Sequence, residues 1–569
     1  MTHSTAEEGS PTVSLHKEMD GEHIEAIRTA SRVPGNNQYY EKNGIRTYGD
    51  GEDHDHEPPL LAKVPVGGIP PYIYADLGGV DRWVWFVLAN LLALAAVCPF
   101  VGALSDLLGR RWVAISGGCF IVVGMIVCST AHTMNTFIAG MALAGVGAGI
   151  NELTALAATA ELAPTAKRGK YVAALIFTIV PFCPSVLWAQ LIAYHASWRY
   201  IGLLCGVWAA IGTIMTGIFY FPPPRVNSTG LSRKEVIAQI DFVGGFLSIA
   251  GMILFIAGLL WGGYQYPWTS GHVLVPLLLG AGFLVGFGFW EVYGATYPMF
   301  PSRLRKDPRI LALTLVITFI SGANFFSVLL FWPTQAFNVY GHDPIGVGLR
   351  GMPIGFSILA GACIVLWLLS TLRGHIRLLM VLSTVLMTAG CGALAAARLD
   401  NIHAVYGILV VAGLGIGGIV VPASIITTII CPDDLIATVA ALTLAIRVIG
   451  GAIGYTTYYN VFYNKFVPAL KFNIASACVN NNIFDGATIQ AAAELTGASL
   501  IDQILPLPGV DGNVTIWTDI VLAGQASYAH AYPYVYYASI AFGAVSVIAA
   551  LFLGDISQYM DDHVAVVMH

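Results

Sequence analysis

The chain has 569 residues, of which 56% are hydrophobic and only 11% charged, with a mean hydropathy of +0.71 and a formal net charge of −6. A soluble protein of this length needs far more charge to cover its surface, so a polytopic helical membrane protein is expected instead. The slightly acidic balance, with no basic arm or aromatic-basic stripe, leaves nucleic acid no footprint to bind.

Residues 1–67 are polar and read as a disordered N-terminal tail. His54-Asp55-His56 sits there in an acidic run, which suits a solvated tail better than a metal site. No hydrophobic core follows a basic start, so no signal peptide is read. Val64 to Tyr74 is too short and too broken by Pro and Gly to cross a bilayer.

Runs of spanning length follow at roughly 83–104, 112–131, 134–158, 170–194 and 200–221. A second series lies at roughly 242–262, 272–291, 309–332, 344–371, 376–396, 402–428 and 435–462. After a long polar stretch, expected to be an extracellular loop over 463–532, a last span lies at roughly 533–555. The reading is therefore thirteen spans.

The first two runs are joined by Gly102-Ala103-Leu104-Ser105-Asp106-Leu107-Leu108-Gly109-Arg110-Arg111. Its glycines permit a tight reversal, and its Arg pair favours the cytoplasmic side. Alternation from that loop puts Lys167, Arg168, Lys170, Arg225, Arg233 and Lys234 on the same side, and Arg303, Arg305, Lys306, Arg309, Arg373 and Arg377 with them. Only Arg199, Arg350, Arg398, Lys465 and Lys471 fall opposite. Asn513-Val514-Thr515 is then an extracellular glycosylation sequon, while Asn227-Ser228-Thr229 faces inward.

Eight of the nine cysteines lie in or beside hydrophobic runs and none forms a C-x-x-C pair, so they read as small apolar packers. Cys478 stands alone in the polar stretch. Gly145-x-Gly147-x-Gly149 recurs as Gly413-x-Gly415-x-Gly417, and Pro164 as Pro432, all offset by 268 residues. Ser105 to Gly109 finds a fainter echo in Ser370 to Gly374. A duplicated half is implied, with a binding site between the halves at mid-membrane.

Ionisable residues inside spans are costly and mark function. Glu152 lies well within the third run, and its repeat counterpart is Val420, so fold symmetry does not demand a carboxylate. It is a candidate proton or cation site, or else a structural hydrogen-bonding group. Arg447 precedes Gly450-Gly451-x-x-Gly454. It can hold an anionic substrate, pair with a carboxylate such as Glu152 of the other half, or snorkel to the interface. The three glycines are expected to lend that helix flexibility, and Pro181 and Pro184 to kink theirs. Asp241 and Glu291 lie at span ends and read as interfacial, and Trp261, Tyr264, Tyr266 and Trp268 as an aromatic belt.

The pattern G-x-L-S-D-x-x-G-R-R resembles the signature loop of major facilitator superfamily transporters. Asp241-Phe242-Val243-Gly244, Trp198-Arg199-Tyr200 and two spans bridging the repeats resemble the fourteen-helix drug:proton antiporter branch. The stretches GGYQYPWTS (262–270), TFISGANFFSVLLFWPTQAFNVYGHDP (318–344) and VVPASIITTIICPDDLIATVAALTLAIRVIGGAIG (420–454) are similar to the fungal trichothecene efflux pump and siderophore transporter group. The resemblance spans about 68–555 and implies an all-α major facilitator fold of two six-helix repeats plus two linking helices. The family's first helix, ahead of Gly67-Gly68-Ile69-Pro70-Pro71-Tyr72, is missing here, which points to a shortened form.

The implied organisation is a tail (1–67), an incomplete first repeat (68–221), a linker with two spans (222–291), a second repeat (292–555) and a cytoplasmic tail (556–569). The resemblance assigns Gly102, Asp106, Gly109, Arg110 and Arg111 to a gating loop, with Glu161, Lys167 and Arg168 on the same face. It implies proton-coupled efflux of small amphipathic organic molecules by a monomer in the lipid bilayer of the plasma membrane, the vacuolar membrane being the alternative. No cofactor is expected. A siderophore-iron importer shares every feature, and a non-transporting receptor or regulator is the alternative of another class. No nucleophile–base set, H-E-x-x-H, G-x-S-x-G or P-loop is present, so neither an enzyme nor an ATP-driven pump is read.

Overall fold

Apolar spans have no water to satisfy their backbone groups, and helices satisfy them internally. In the computed structural model the described residues are 39–42, 45–48, 69–78, 83–222, 235, 240–262, 266–305, 307–341, 343–373 and 375–560. The His54-Asp55-His56 tract lies outside them. Apart from an antiparallel strand pair, Tyr39–Lys42 with Ile45–Tyr48, the regular structure is helical.

A short helix α1 (Ile69–Leu77) precedes α2 (Trp83–Leu108), α3 (Arg110–Ser129) and α4 (Met134–Leu162). Then come α5 (Arg168–Phe177), α6 (Ser185–His195), α7 (Arg199–Phe219), α8 (Phe242–Trp261) and α9 (Gly271–Phe289). The second half is α10 (Pro308–Tyr340), α11 (Pro344–Thr371), α12 (Ile376–Ala393), α13 (Ile402–Val420) and α14 (Pro422–Ile430), followed by α15 (Ile436–Asn480), α16 (Gly486–Gly497) and α17 (Val514–Leu551).

Twelve helical stretches among the described residues are long and apolar enough to cross a membrane, against the thirteen expected. The difference lies at 170–194. That run is two pieces, α5 and α6, separated by a 3-10 turn at Val180–Phe182. Pro181 and Pro184 sit in the interruption, where their missing N–H groups and rings prevent a continuous helix.

The glycine repeat is a packing device. A methyl on Gly145 would lie 2.2 Å from the Asn90 carbonyl oxygen of α2, and one on Gly147 2.4 Å from that of Gly117 on α3. In the second half, Gly413 meets Ser357 of α11 at 1.9 Å and Gly415 meets Met387 of α12 at 2.1 Å. So α4 wedges between α2 and α3 as α13 wedges between α11 and α12. Pro164 and Pro432 each open a 3-10 turn, at Thr165–Lys167 and Asp433–Leu435.

The expected loop 463–532 is instead a folded helical cap. Helix α15 runs unbroken for 45 residues, about 68 Å at 1.5 Å per residue, more than twice the roughly 30 Å of a hydrocarbon core. Its overhang packs with α16, a 3-10 turn at Ile501–Ile504 and the first half of α17. Ile474, Ile483, Ala492, Ile504, Ile520 and Val521 are buried there, and so is Cys478, which is no lone loop residue but part of the cap core. Phe466, Leu470, Ile474 and Cys478 fall every fourth residue on one helix face.

Candidate functional site

Two constellations join the halves. The first is deep in the bundle. Arg447 of α15 donates through Nη2 to Oε1 of Glu152 on α4, and through Nη1 to the Val420 carbonyl at 3.3 Å. Arg447 thus bridges Glu152 and the repeat counterpart of Glu152. Only 8% of the Arg447 side chain is accessible, against 46% of that of Glu152. The cation is covered while the carboxylate is open to water or a ligand. Helix α10 passes directly over the arginine's backbone, because Gly322 has no side chain to meet the Arg447 carbonyl, 1.9 Å from where a Cβ would stand.

Gly450, Gly451 and Gly454 lie one and two turns further along α15. Methyls there would fall 2.0 Å from the Phe319 carbonyl oxygen, 2.2 Å from the Phe326 ring and 2.4 Å from Ala323. These glycines admit α10 to close contact along an unbroken helix. The helix break is at Pro181 and Pro184 instead.

The second constellation closes one end. Oδ1 of Asp106 accepts from Arg110 Nη2 at 2.9 Å, and Oδ2 accepts from the Thr438 N–H and hydroxyl, both at 2.8 Å. Arg110 also donates to Ser105 Oγ at 2.8 Å and to both carboxylate oxygens of Glu161. All five side chains are almost wholly buried. The lock therefore ties α2, α3 and α4 of the first half to α15 of the second. Gly109, at φ +91°, makes the corner that returns α3 beneath α2, a conformation glycine adopts without strain. Gly102 lets α2 approach α15, where a Cβ would lie 2.5 Å from that of Ala441.

Arg168 reinforces this end, donating to the Thr428 carbonyl at 2.6 Å beside Asp433 at 3.6 Å, and Arg303 pairs with Asp434 at 2.9 Å. Arg111 belongs elsewhere. It donates to the Gly217 carbonyl at 2.8 Å and stacks on Phe221 at 3.9 Å, tying α3 to the end of α7. Asn513 is exposed at the start of α17, its side-chain Oδ1 accepting from the Thr515 N–H at 2.9 Å.

Thr438 and Thr428 escaped the sequence reading. The single pointer to them was Pro432, whose match with Pro164 marks that turn as the second half's copy of the Glu161–Arg168 corner. Among the described residues no group of three or more His, Cys, Asp or Glu is placed to hold a metal ion.

The model of the fungal trichothecene efflux pump family matches residues 66–569. The chain is 28% identical over 504 residues to the trichothecene efflux pump TRI12 of Fusarium sporotrichioides, covering 87% of this chain and 83% of that protein. Its namesake from Trichoderma arundinaceum is 26% identical over the same shares of the two chains. A solved structure of XylE, a proton:xylose symporter of the major facilitator superfamily, aligns with 86% of this chain and 91% of its own at 13% identity and a TM-score of 0.49. With a family model matched across nearly everything beyond the N-terminal tail, this multi-pass membrane chain belongs to the fungal trichothecene efflux pump family.

Proposed function

We propose that this protein is a secondary carrier that exports small amphipathic organic molecules of the trichothecene type across the plasma membrane, driven by the proton gradient. Residues 68–221 and 292–555 are read as its two repeats, bridged by the linker 222–291, with the Arg110 end cytoplasmic. The observation that carries the reading is the Glu152–Arg447 ion pair. A carrier needs a group whose charge is neutralised as access alternates, and a carboxylate half-open to water, held by a covered cation of the other half, suits that task. A proton on Glu152 ends the ion pair and leaves Arg447 with the Val420 carbonyl, weakening the join between halves. The Asp106–Arg110–Glu161 lock then biases which end opens, since a switch acts by stabilising one of two states. Substrate names in the relatives, together with the absence of a P-loop, support efflux without ATP.

The test is Glu152→Gln in vesicles loaded with a tritiated trichothecene. Downhill exchange is expected to survive while pH-driven extrusion disappears. Equal loss of both modes, or an unchanged pH dependence of extrusion, would remove Glu152 from the coupling step.

A further inference from the structure

A carrier that alternates access needs a closure at each end, and the Asp106 lock supplies only one. At the opposite end, three consecutive residues of the cap reach both halves. The Ala498 carbonyl accepts from the Tyr74 hydroxyl of α1 at 2.6 Å. Helix α1 is fastened to the first half: Asp76 pairs with Arg199 at 2.9 Å and accepts from Trp198 Nε1 at 3.2 Å, and Ile73 and Tyr74 are buried against Cys128, Phe137 and Trp198. Leu500 packs on that same cluster. Ser499 Oγ donates to Asn338 Oδ1 at 2.9 Å, at the end of α10 in the second half. Tyr72 of α1 also rests on Phe337 and Val347 of the second half.

The backbone sets this serine at a corner that favours glycine. Helix α16 ends in a six-residue reversal, with Ser499 N–H bonded to the Thr496 carbonyl at 3.0 Å and Leu500 N–H to the Leu495 carbonyl at 2.9 Å. The residue at that corner must be left-handed, and Ser499 has φ +60°. Glycine fills such positions at lower conformational cost. A serine held there against its preference has surroundings that over-determine it, and Asn338 is the partner it finds. The corner also faces the long helices: the Tyr528 hydroxyl of α17 donates to the Gly497 carbonyl at 3.0 Å, and its ring lies 4.2 Å from that of Phe466 on α15.

We propose that the Ala498–Leu500 corner of the cap is the latch of the outer gate, with Tyr74, Ser499 and Asn338 as its positioning residues. The cap thereby turns from an appendage into the part that closes the carrier opposite the Asp106 lock. The inference rests on the alternating-access part of the proposed function, but its test needs neither substrate nor gradient.

A Val347→Cys reporter, fully buried beneath Tyr72, is introduced into the full chain in nanodiscs and labelled with a water-soluble maleimide, above the rate of the chain without the added thiol. Tyr74→Phe keeps the ring and Ser499→Gly keeps the left-handed turn, so both variants retain the fold. Each is expected to label roughly fivefold faster, the factor that one net hydrogen bond is worth. Adding Asp106→Asn, which loosens the opposite lock, is expected to return the labelling toward the starting rate. Unchanged labelling in both single variants would overturn the proposal. So would faster labelling that Asp106→Asn leaves untouched, since that is the behaviour of a passive brace. The labelling is read without substrate, so a failure of the Glu152→Gln transport test overturns the proton-coupling reading and leaves the gate standing.

Discussion

At the scale of single residues, what separates the two constellations is what surrounds their charges. Asp106 spends both oxygens on fixed donors, Arg110 on one side and Thr438 on the other, and is buried with them. Such a carboxylate holds two halves together, with both oxygens already taken by protein donors. Asp106→Asn keeps the size but loses the charge that pairs with Arg110, and its NH2 turns donors toward either the guanidinium or the Thr438 N–H in place of an acceptor. The expected outcome is a transport rate reduced at least tenfold with substrate affinity nearly unchanged, checked by measuring flux and equilibrium binding on one preparation. A parallel loss of binding would move Asp106 into the substrate site. Glu152, by contrast, leaves almost half its side chain accessible, which is why the coupling role is proposed for it.

At the scale of elements, glycines and caps decide how closely helices approach and where they stop. Gly450→Ala sets a methyl 2.0 Å from a backbone carbonyl of α10, which has no flexible end to give way. A loss of about 1–3 kcal/mol in stability is expected. Gly212→Ala, with nothing within 4 Å, is the control and is expected to be neutral or slightly stabilising. Thermal melts of the purified variants compare the two.

The cap carries two carboxyl groups displaced in opposite directions from their ordinary range. Asp485 caps α16, accepting from the Thr488 hydroxyl at 2.7 Å and the Thr488 N–H at 2.9 Å, and these bonds hold its carboxyl below the usual range. Its contribution is therefore present above the unfolded carboxylate value of about 3.9 and is lost as pH falls through the lower folded one. Burial pushes Asp502 up, so its contribution is complete below the unfolded value and is lost as pH rises through the raised folded value. Asp502→Asn is expected to protect the cap from proteolysis at neutral pH, and Asp485→Ala to sensitise it there, with the difference between Asp485→Ala and the parent chain vanishing in strong acid. Limited digestion across a pH series reads both.

For the whole molecule, charge segregates by end. Arg110, Arg168, Arg303, Asp433 and Asp434 gather around the Asp106 lock, while Arg199 anchors α1 at the other end beneath the cap. The proposed topology takes the excess of Lys and Arg on the lock side as its cytoplasmic signal. A tag after Tyr559 is then expected to be cytoplasmic, and Asn513, exposed in the cap, to carry glycan. Endoglycosidase mobility shifts and epitope accessibility in intact cells check the two independently. A glycan-free Asn513 beside an outward-facing tag would invert the molecule.

Length and apolarity are local properties, so twelve of the thirteen expected spans and the Gly145 and Gly413 repeat were legible in the sequence by itself, while the break in 170–194 and the packing role of the glycines were not. The same locality exposed Glu152 and Arg447, since an ionisable residue stands out in any apolar run. Pairing was another matter. Glu152 and Arg447 are 295 residues apart, and Asp106 and Thr438 are 332. No helical period relates such distances, and only the packing of one half on the other selects the partner. Arg111 shows the same thing in reverse, because adjacency to Arg110 in a motif did not place it in the lock. The cap stayed hidden for a different reason. Its polar composition reads as loop, while its core depends on a sparse apolar face, Phe466 to Cys478, that means nothing until α17 is folded against it.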